Sequence, residues 1–232
     1  MFKKLPIFVA IDTPDHELAL KIASEVKNFA LGIKVGPVYF SKNSIDTVDK
    51  FSTMGLKIFV DNKIHDIGST LEKNLIGISS QPIDYYSVHI ANGLKTLKLA
   101  KKTVKSFSKP IKLLGISVLT SLDDETLTEE LGIKNKMEEQ IKQLASLGQE
   151  AELDGIVCDA KNIWNVKKIF KGEIFVPGVR LDKNKMNDQN PSRSLTPKEA
   201  LNEGASYLVC GREVTEGGNP SENIKKIANS LN

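Results

Sequence analysis

Leu5-Pro6-Ile7-Phe8-Val9-Ala10-Ile11-Asp12-Thr13-Pro14 is an apolar run that stops on an acid, a threonine and a proline. A doubly wound sheet that binds a dinucleotide would follow its first strand with G-x-G-x-x-G, and that pattern is absent here. Thr13-Pro14 instead places a cap residue before a first-turn proline. It predicts a strand over 7–11 followed by a helix over 16–29.

The same unit recurs along the chain. Strand-like runs cover 7–11, 32–35, 57–61, 85–89, 113–119, 155–158, 174–176 and 207–210. Helix-period segments lie between them at 16–29, 45–54, 70–80, 94–107 and 137–151, while Thr196-Pro-Lys-Glu199 and Asn219-Pro-Ser-Glu222 read as capping boxes. Eight alternating units imply eight parallel strands closed into a (β/α)8 TIM barrel. The 232 residues fit one such barrel as a single domain over 1–232, with no repeat or low-complexity segment.

Composition narrows the function classes. An apolar fraction of 40% and a charged fraction of 26% are those of a folded globular chain. A net charge of +3 is too mild to argue for nucleic acid, and the lysines are spread over every helix rather than gathered on one face. The few aromatics form no stacking platform for single strands. No run approaches the ~18 apolar residues of a membrane span, and Asp12-Thr13-Pro14 ends the first apolar run too early for a signal core. Two cysteines, Cys158 and Cys210, are too few for a disulfide framework, so a reducing, cytoplasmic setting is expected. Of 32 basic residues only Arg180, Arg193 and Arg212 are arginine. Where lysine does the generic surface work, a retained arginine points to a task needing a planar two-pronged donor.

Active sites of such barrels lie at the C-terminal ends of the strands. Those ends carry Asp12, Lys34, Asp61 and Lys63, His89, Thr120, Asp159, Pro177-Gly178 and Gly211-Arg212. The densest signal is Asp61-Asn62-Lys63-Ile64-His65-Asp66. Strand alternation points Asp61 and Lys63 the same way, into the barrel mouth, with Lys34 about 5 Å off on the next strand. Two lysines and two aspartates, Lys34, Lys63, Asp61 and Asp66, are thereby expected close together with zero net charge, although alternation does not place Asp66. A plain ion-pair network closing the mouth is the alternative reading. The second signal follows strands seven and eight, where barrels commonly bind phosphate: Pro177-Gly-Val-Arg180 and Gly211-Arg212, with a long polar stretch to Leu195 that reads as a lid. Gly211 is expected to permit close backbone approach. His65 and His89 lack the spacing of a metal pair and are expected to pack or hydrogen-bond.

Taken in register, Ala10-Ile-Asp12, Gly32-Ile-Lys34-Val-Gly36, Asp61-x-Lys63-x-x-Asp66-Ile67, Val118-Leu-Thr120-Ser121, Asp154-Gly-Ile-Val-Cys158, Pro177-Gly-Val-Arg180, Asp188-Gln189 and Gly211-Arg212 resemble the orotidine 5′-phosphate decarboxylase family in its shorter bacterial form. The resemblance implies a cofactor-free carboxy-lyase of UMP synthesis, a homodimer with shared sites. It implies Lys63 as proton donor, with Lys34, Asp61 and a partner-supplied Asp66 completing the charged array. Asp12 and Lys34, with the partner's Thr70, look like ribose contacts, Thr120 and Gln189 like pyrimidine contacts, and Arg180, Gly211 and Arg212 like the phosphate site. No metal is implied, and Arg193 receives no role. Asn62, Asn92 and Asp159 depart from the common pattern. Two rivals share parts of it: a magnesium-dependent phosphosugar barrel, which carries a glutamate where Lys34 stands, and a catalytically silent nucleotide-binding barrel, expected to lose a charged residue that is kept here.

Overall fold

The structure, a computed structural model, describes residues 4–181 and 195–231. Eight strands close into a barrel in sequence order: β1 (Leu5–Ala10), β2 (Ala30–Val35), β3 (Lys57–Ile64), β4 (Tyr85–His89), β5 (Lys112–Ile116), β6 (Gly155–Val157), β7 (Glu173–Pro177) and β8 (Tyr207–Cys210). Every neighbouring pair is parallel, including the closing pair of β1 with β8. The main helices that return the chain are α1 (His16–Val26), α2 (Val48–Thr53), α3 (Gly68–Gly77), α4 (Leu94–Lys105), α5 (Met137–Glu150), α6 (Ile163–Ile169), α7 (Pro197–Glu203) and α8 (Pro220–Leu231). The expected (β/α)8 barrel is the observed one.

Two apolar layers hold it. Helix α1 buries Ala19, Ile22, Ala23 and Val26 at helical spacing against the outside of the sheet, and the other helices do likewise. Inside the barrel, Phe8, Phe59, Tyr85 and Phe175 pack with Tyr207 as an aromatic plug, the Phe8–Tyr85 rings meeting edge to face at 5.5 Å. These rings occupy the bore beneath the C-terminal mouth, where Phe59 also lines a cavity.

The opposite end is closed by a repeated polar device. Asp84, just before β4, accepts the Ile58 N–H of β3 at 2.8 Å; Asp154, before β6, accepts the Leu113 N–H of β5 at 2.8 Å. Ser206, before β8, accepts the Ile174 N–H of β7 at 3.0 Å. Each satisfies a donor near the start of a strand. Asp154 also pairs with the buried Lys101 of α4, which ties the helix layer to the barrel floor.

Boundaries differ from the sequence reading where local chemistry overrides pattern. The cap of α1 is Asp15, whose carboxylate accepts the Leu18 N–H at 3.1 Å; Thr13 instead supports Asp15, and Pro14 lies outside the helix. Strand β3 runs to Ile64 and β5 stops at Ile116. The Thr196–Glu199 capping box is complete, whereas Asn219 caps α8 by accepting from Ser221 and Glu222.

A Cβ on Gly32 would lie 2.3 Å from the Lys57 carbonyl and 2.6 Å from the Phe8 ring. Gly32→Ala should therefore destabilise by about 2–3 kcal/mol, lowering the melting temperature by roughly 5–10 °C. Gly77→Ala, at a helical position with nothing within 4 Å, should leave it unchanged or slightly raised. Thermal unfolding of the two variants side by side checks this.

Candidate active site

The C-terminal mouth of the barrel opens into a cavity of about 540 Å³. Its floor is apolar, formed by Ala10, Phe59, Ile116, Val157 and Val209 from inside the strands. One wall is an unbroken chain of alternating charge. Lys34 Nζ lies 3.3 Å from an Asp12 oxygen and 3.3 Å from Asp61 Oδ2, and that same oxygen receives Lys63 Nζ at 2.8 Å. Burial is graded along it: the Lys34 and Asp61 side chains are 11% and 8% exposed, Lys63 is 36% and Asp12 55%. The inner pair is thus fixed by the protein, and the outer two groups face the cavity.

The sequence groups Asp66 with this cluster without placing it; within one chain the structure brings Asp12 to the array and leaves Asp66 outside it. After Ile64 the chain turns out of β3, and Asp66 is exposed, with its carboxylate accepting the Ile67 N–H at 2.7 Å. Asn92 holds this turn, accepting the Asp66 N–H at 2.9 Å and donating to the Ile64 and His89 carbonyls. Thr70, on the first turn of α3, is exposed as well, and neither residue lines the cavity.

The backbone of β3 explains how Lys63 reaches the array. Val60 pairs with Tyr86 and Ile64 with Val88, so Asp61, Asn62 and Lys63 together face the single residue Ser87. Within this bulge Lys63 adopts φ +49°, a left-handed conformation that costs a side-chain-bearing residue about 1–2 kcal/mol. Asn62 points away from the cavity, toward the Tyr86 hydroxyl that donates to Asn74 of α3, which accounts for a polar residue there.

Electrostatics lock the inner pair in its charged form. Burial would push the Lys34 ammonium down, but Asp61 and Asp12 outweigh it and hold it above the ordinary lysine value. Burial would likewise raise Asp61, yet Lys34 and Lys63, with hydrogen bonds from Lys63 and Ser87, hold it below the usual carboxylate range. Cys158 and Cys210 are buried thiols pushed up by burial, Cys210 to about 12, which disfavours the reactive thiolate form.

The rest of the rim carries Thr120, Gly178, Arg180, Gly211 and Arg212, the last two following β8 and so adjoining Asp12 at the end of β1. Gly178 has φ +75°, a conformation that favours glycine. Among the described residues a Cβ on Gly211 would meet only the Ala10 Cβ at 3.6 Å, an ordinary contact, so no packing within the chain calls for glycine there. Arg180 is buried, with Nη1 3.9 Å from Glu213, and Glu216 also lines the rim. Neither glutamate stands out in the sequence, since each reads as a helix-surface acid. Asp159 is buried and caps the turn Ala160–Asn162, so its departure has a local structural use. Gln189 and Arg193 lie outside the described residues.

The family model for orotidine 5′-phosphate decarboxylase / HUMPS matches residues 5–227. The chain belongs to that family. It is 36% identical over 227 residues to the orotidine 5′-phosphate decarboxylase of Sphingopyxis alaskensis, covering 97% of this chain and 99% of the other. The protein of the same name from Dictyoglomus turgidum is 35% identical, covering 100% and 97%. The crystal structure of orotidine 5′-phosphate decarboxylase from Lactobacillus acidophilus superposes with a TM-score of 0.83 at 28% identity, covering 98% and 99%. The charged chain and the arginines thus sit in the barrel mouth of a member of the decarboxylase family.

His65 and His89 stack at 5.4 Å beside this site, and the buried His89 Nδ1 has no hydrogen-bond partner among the described residues. Burial first, then His65 and Lys63, lowers His89 from its ordinary 6.5. A depressed histidine leaves the folded state binding fewer protons than the unfolded chain, so its contribution is full above 6.5 and is lost as pH falls toward the lowered value. The melting temperature should therefore drop between about pH 7 and about pH 5.5, and less steeply in His89→Gln. Melting curves across that range check the sign.

Proposed function

We propose that the chain is a carboxy-lyase that converts orotidine 5′-monophosphate to uridine 5′-monophosphate and carbon dioxide, the last step of UMP synthesis, without a metal or cofactor. The observation that carries this reading is the alternating Asp12–Lys34–Asp61–Lys63 chain in a cavity that Arg180 and Arg212 also line.

The reaction breaks the bond between ring carbon and carboxylate, leaving the electron pair on the ring carbon with no conjugated sink. Lys63, the more exposed lysine of the array, stabilises that pair by its charge and then donates its proton to form the new C–H bond. Asp61 is held ionised by two ammonium groups and lies where the departing carboxylate would approach. Two like charges ~4 Å apart at an effective dielectric of ~20 repel by about 4 kcal/mol, roughly three powers of ten in rate. Departure of carbon dioxide removes that repulsion, while the lysine term grows as the carbanion forms.

The remaining assignments follow the family pattern. Arg180, Gly211 and Arg212 take the phosphate; Asp12 and Lys34 take the ribose hydroxyls; Thr120 and Gln189 take the pyrimidine. The enzyme is a cytoplasmic homodimer in which Asp66 and Thr70 serve the neighbouring subunit's site. The outward position of Asp66, held there by Asn92, supports that division. The phosphosugar reading is disfavoured by Lys34: it stands where those enzymes carry a magnesium-binding glutamate and is clamped between Asp12 and Asp61.

Loss of orotidine monophosphate absorbance, followed with chelator present, tests the reaction. Turnover should persist, and Lys63→Ala should lose more than a hundredfold in kcat, over ~2.7 kcal/mol, while still binding nucleotide. Activity that vanishes on chelation and returns with magnesium would favour the phosphosugar rival.

Mixing Lys63→Ala and Asp66→Asn chains tests the shared site. Each alone should be nearly inactive. Random exchange makes half the dimers mixed, each with one intact site of two, restoring about a quarter of wild-type activity. No recovery despite exchange shown by a tag on one chain would place Asp66 outside the partner's site.

A further inference from the structure

We infer that Ser87 is the positioning residue of the charged array, its one hydroxyl fixing both the Asp61 carboxylate and the backbone that carries Lys63. Ser87 sits in the middle of β4, fully buried, and does not line the cavity, so it acts only through its neighbours. Its Oγ donates to Asp61 Oδ1 at 2.9 Å and accepts the Lys63 N–H at 2.9 Å.

Among the described residues, Ser87 is the hydrogen-bond partner of both Asp61 Oδ1 and the Lys63 N–H. Asp61 Oδ2 is taken up by the two ammonium groups, and the hydrogen bond from Ser87 orients the other oxygen. A carboxylate anchored at one oxygen only would be free to rotate about its Cβ–Cγ bond and trade its partners; anchored at both, it presents one oxygen to both lysines. On the backbone side, the bulge sets three residues of β3 opposite this one residue of β4, so regular pairing with β4 is interrupted at Lys63. The serine hydroxyl accepts the Lys63 N–H that the interrupted ladder leaves over, at the residue held at φ +49°. A hydroxyl, both donor and acceptor, is the smallest side chain that does both. The Ser87 backbone meanwhile stays in register with Leu114 of β5, which keeps the hydroxyl itself from drifting.

The activity arm of the test rests on the decarboxylase reading, and the wild-type enzyme assayed in parallel separates the two: a wild type that does not turn over orotidine monophosphate refutes the reading, not the role of Ser87. With turnover present, Ser87→Ala should lose about ten- to a hundredfold in kcat with KM within about threefold, and Ser87→Thr, which keeps the hydroxyl, should recover most of kcat. A kcat within about threefold of wild type in Ser87→Ala, or a folded Ser87→Thr no better than Ser87→Ala, would overturn the assignment. The second arm needs no substrate. Amide hydrogen exchange followed by NMR should show the Lys63 N–H losing at least about tenfold protection in Ser87→Ala while the Val60 N–H keeps its own. Equal protection at Lys63 in both proteins would overturn the proposal, and this arm decides alone if the extra methyl group unfolds Ser87→Thr.

Discussion

A carboxylate that is 8% exposed at the mouth of an apolar barrel, Asp61, is the constraint from which the site follows. Left unpaired in such surroundings it would take up a proton or unfold its strand. Here one oxygen is shared by Lys34 and Lys63 and the other is held by Ser87, so three strands are committed to a single side chain. Removing one partner of such a buried pair typically costs about 3–5 kcal/mol, because the charge left behind has nowhere to go. The array is therefore set before any ligand arrives, and little reorganisation of these groups remains for the moment of reaction.

The barrel supplies what that constraint needs. Closure in sequence order brings the ends of β1, β2, β3 and β4 side by side, which is why Asp12, Lys34, Asp61 and Ser87 meet although they are spread over 75 positions from 12 to 87. Beneath them Phe8, Phe59, Tyr85 and Phe175 form a buried apolar cluster, which gives the array a surrounding of low polarity. Weak screening strengthens each contact in the array and equally raises the penalty for any member left alone. The polar closures at the other end, from Asp84, Asp154 and Ser206, hold strand starts rather than ends, so the floor and the mouth are stabilised by separate groups.

The fold was legible because eight apolar runs are each bounded by helix-period segments, and that alternation has few solutions. Errors arose where one side chain outbids pattern: Asp15 caps α1 although Thr13-Pro14 looks like the better start. Asp12, Lys34, Asp61 and Lys63 were legible as charges ending apolar strands, where burial without use is costly. Asp66 was not placed by alternation, because alternation describes a strand and Asp66 follows its turn. Ser87 was not legible at all. A serine in a buried strand reads as a small filler, and a bulge that sets three residues against one leaves no mark in the sequence of the strand facing it. What could have raised it is the company it keeps: the one small polar residue between aromatic and β-branched neighbours in Tyr85-Tyr-Ser-Val-His89.

Under the proposed reading, the charge layout bears on how the cavity would meet the two ends of a dianionic phosphoester. Asp12, Lys34, Asp61 and Lys63 sum to zero, so that wall attracts no anion at long range, and its attraction appears only at contact with an exposed lysine. Arg180 and Arg212 line the same cavity with Glu216 beside them and Glu213 3.9 Å from Arg180, so these four groups also sum to zero and their pull on an anion acts at short range. Under that reading the arginines hold a phosphate by short-range, charge-assisted hydrogen bonds while the rest of the ligand lies against the Asp12–Lys63 chain. Had the array been net positive, the phosphate would compete for Lys63. Had it been net negative, a carboxylate could not be brought near Asp61. Neutrality with a fixed internal order lets a group of either sign approach one member of the chain while its neighbour is held back by the protein.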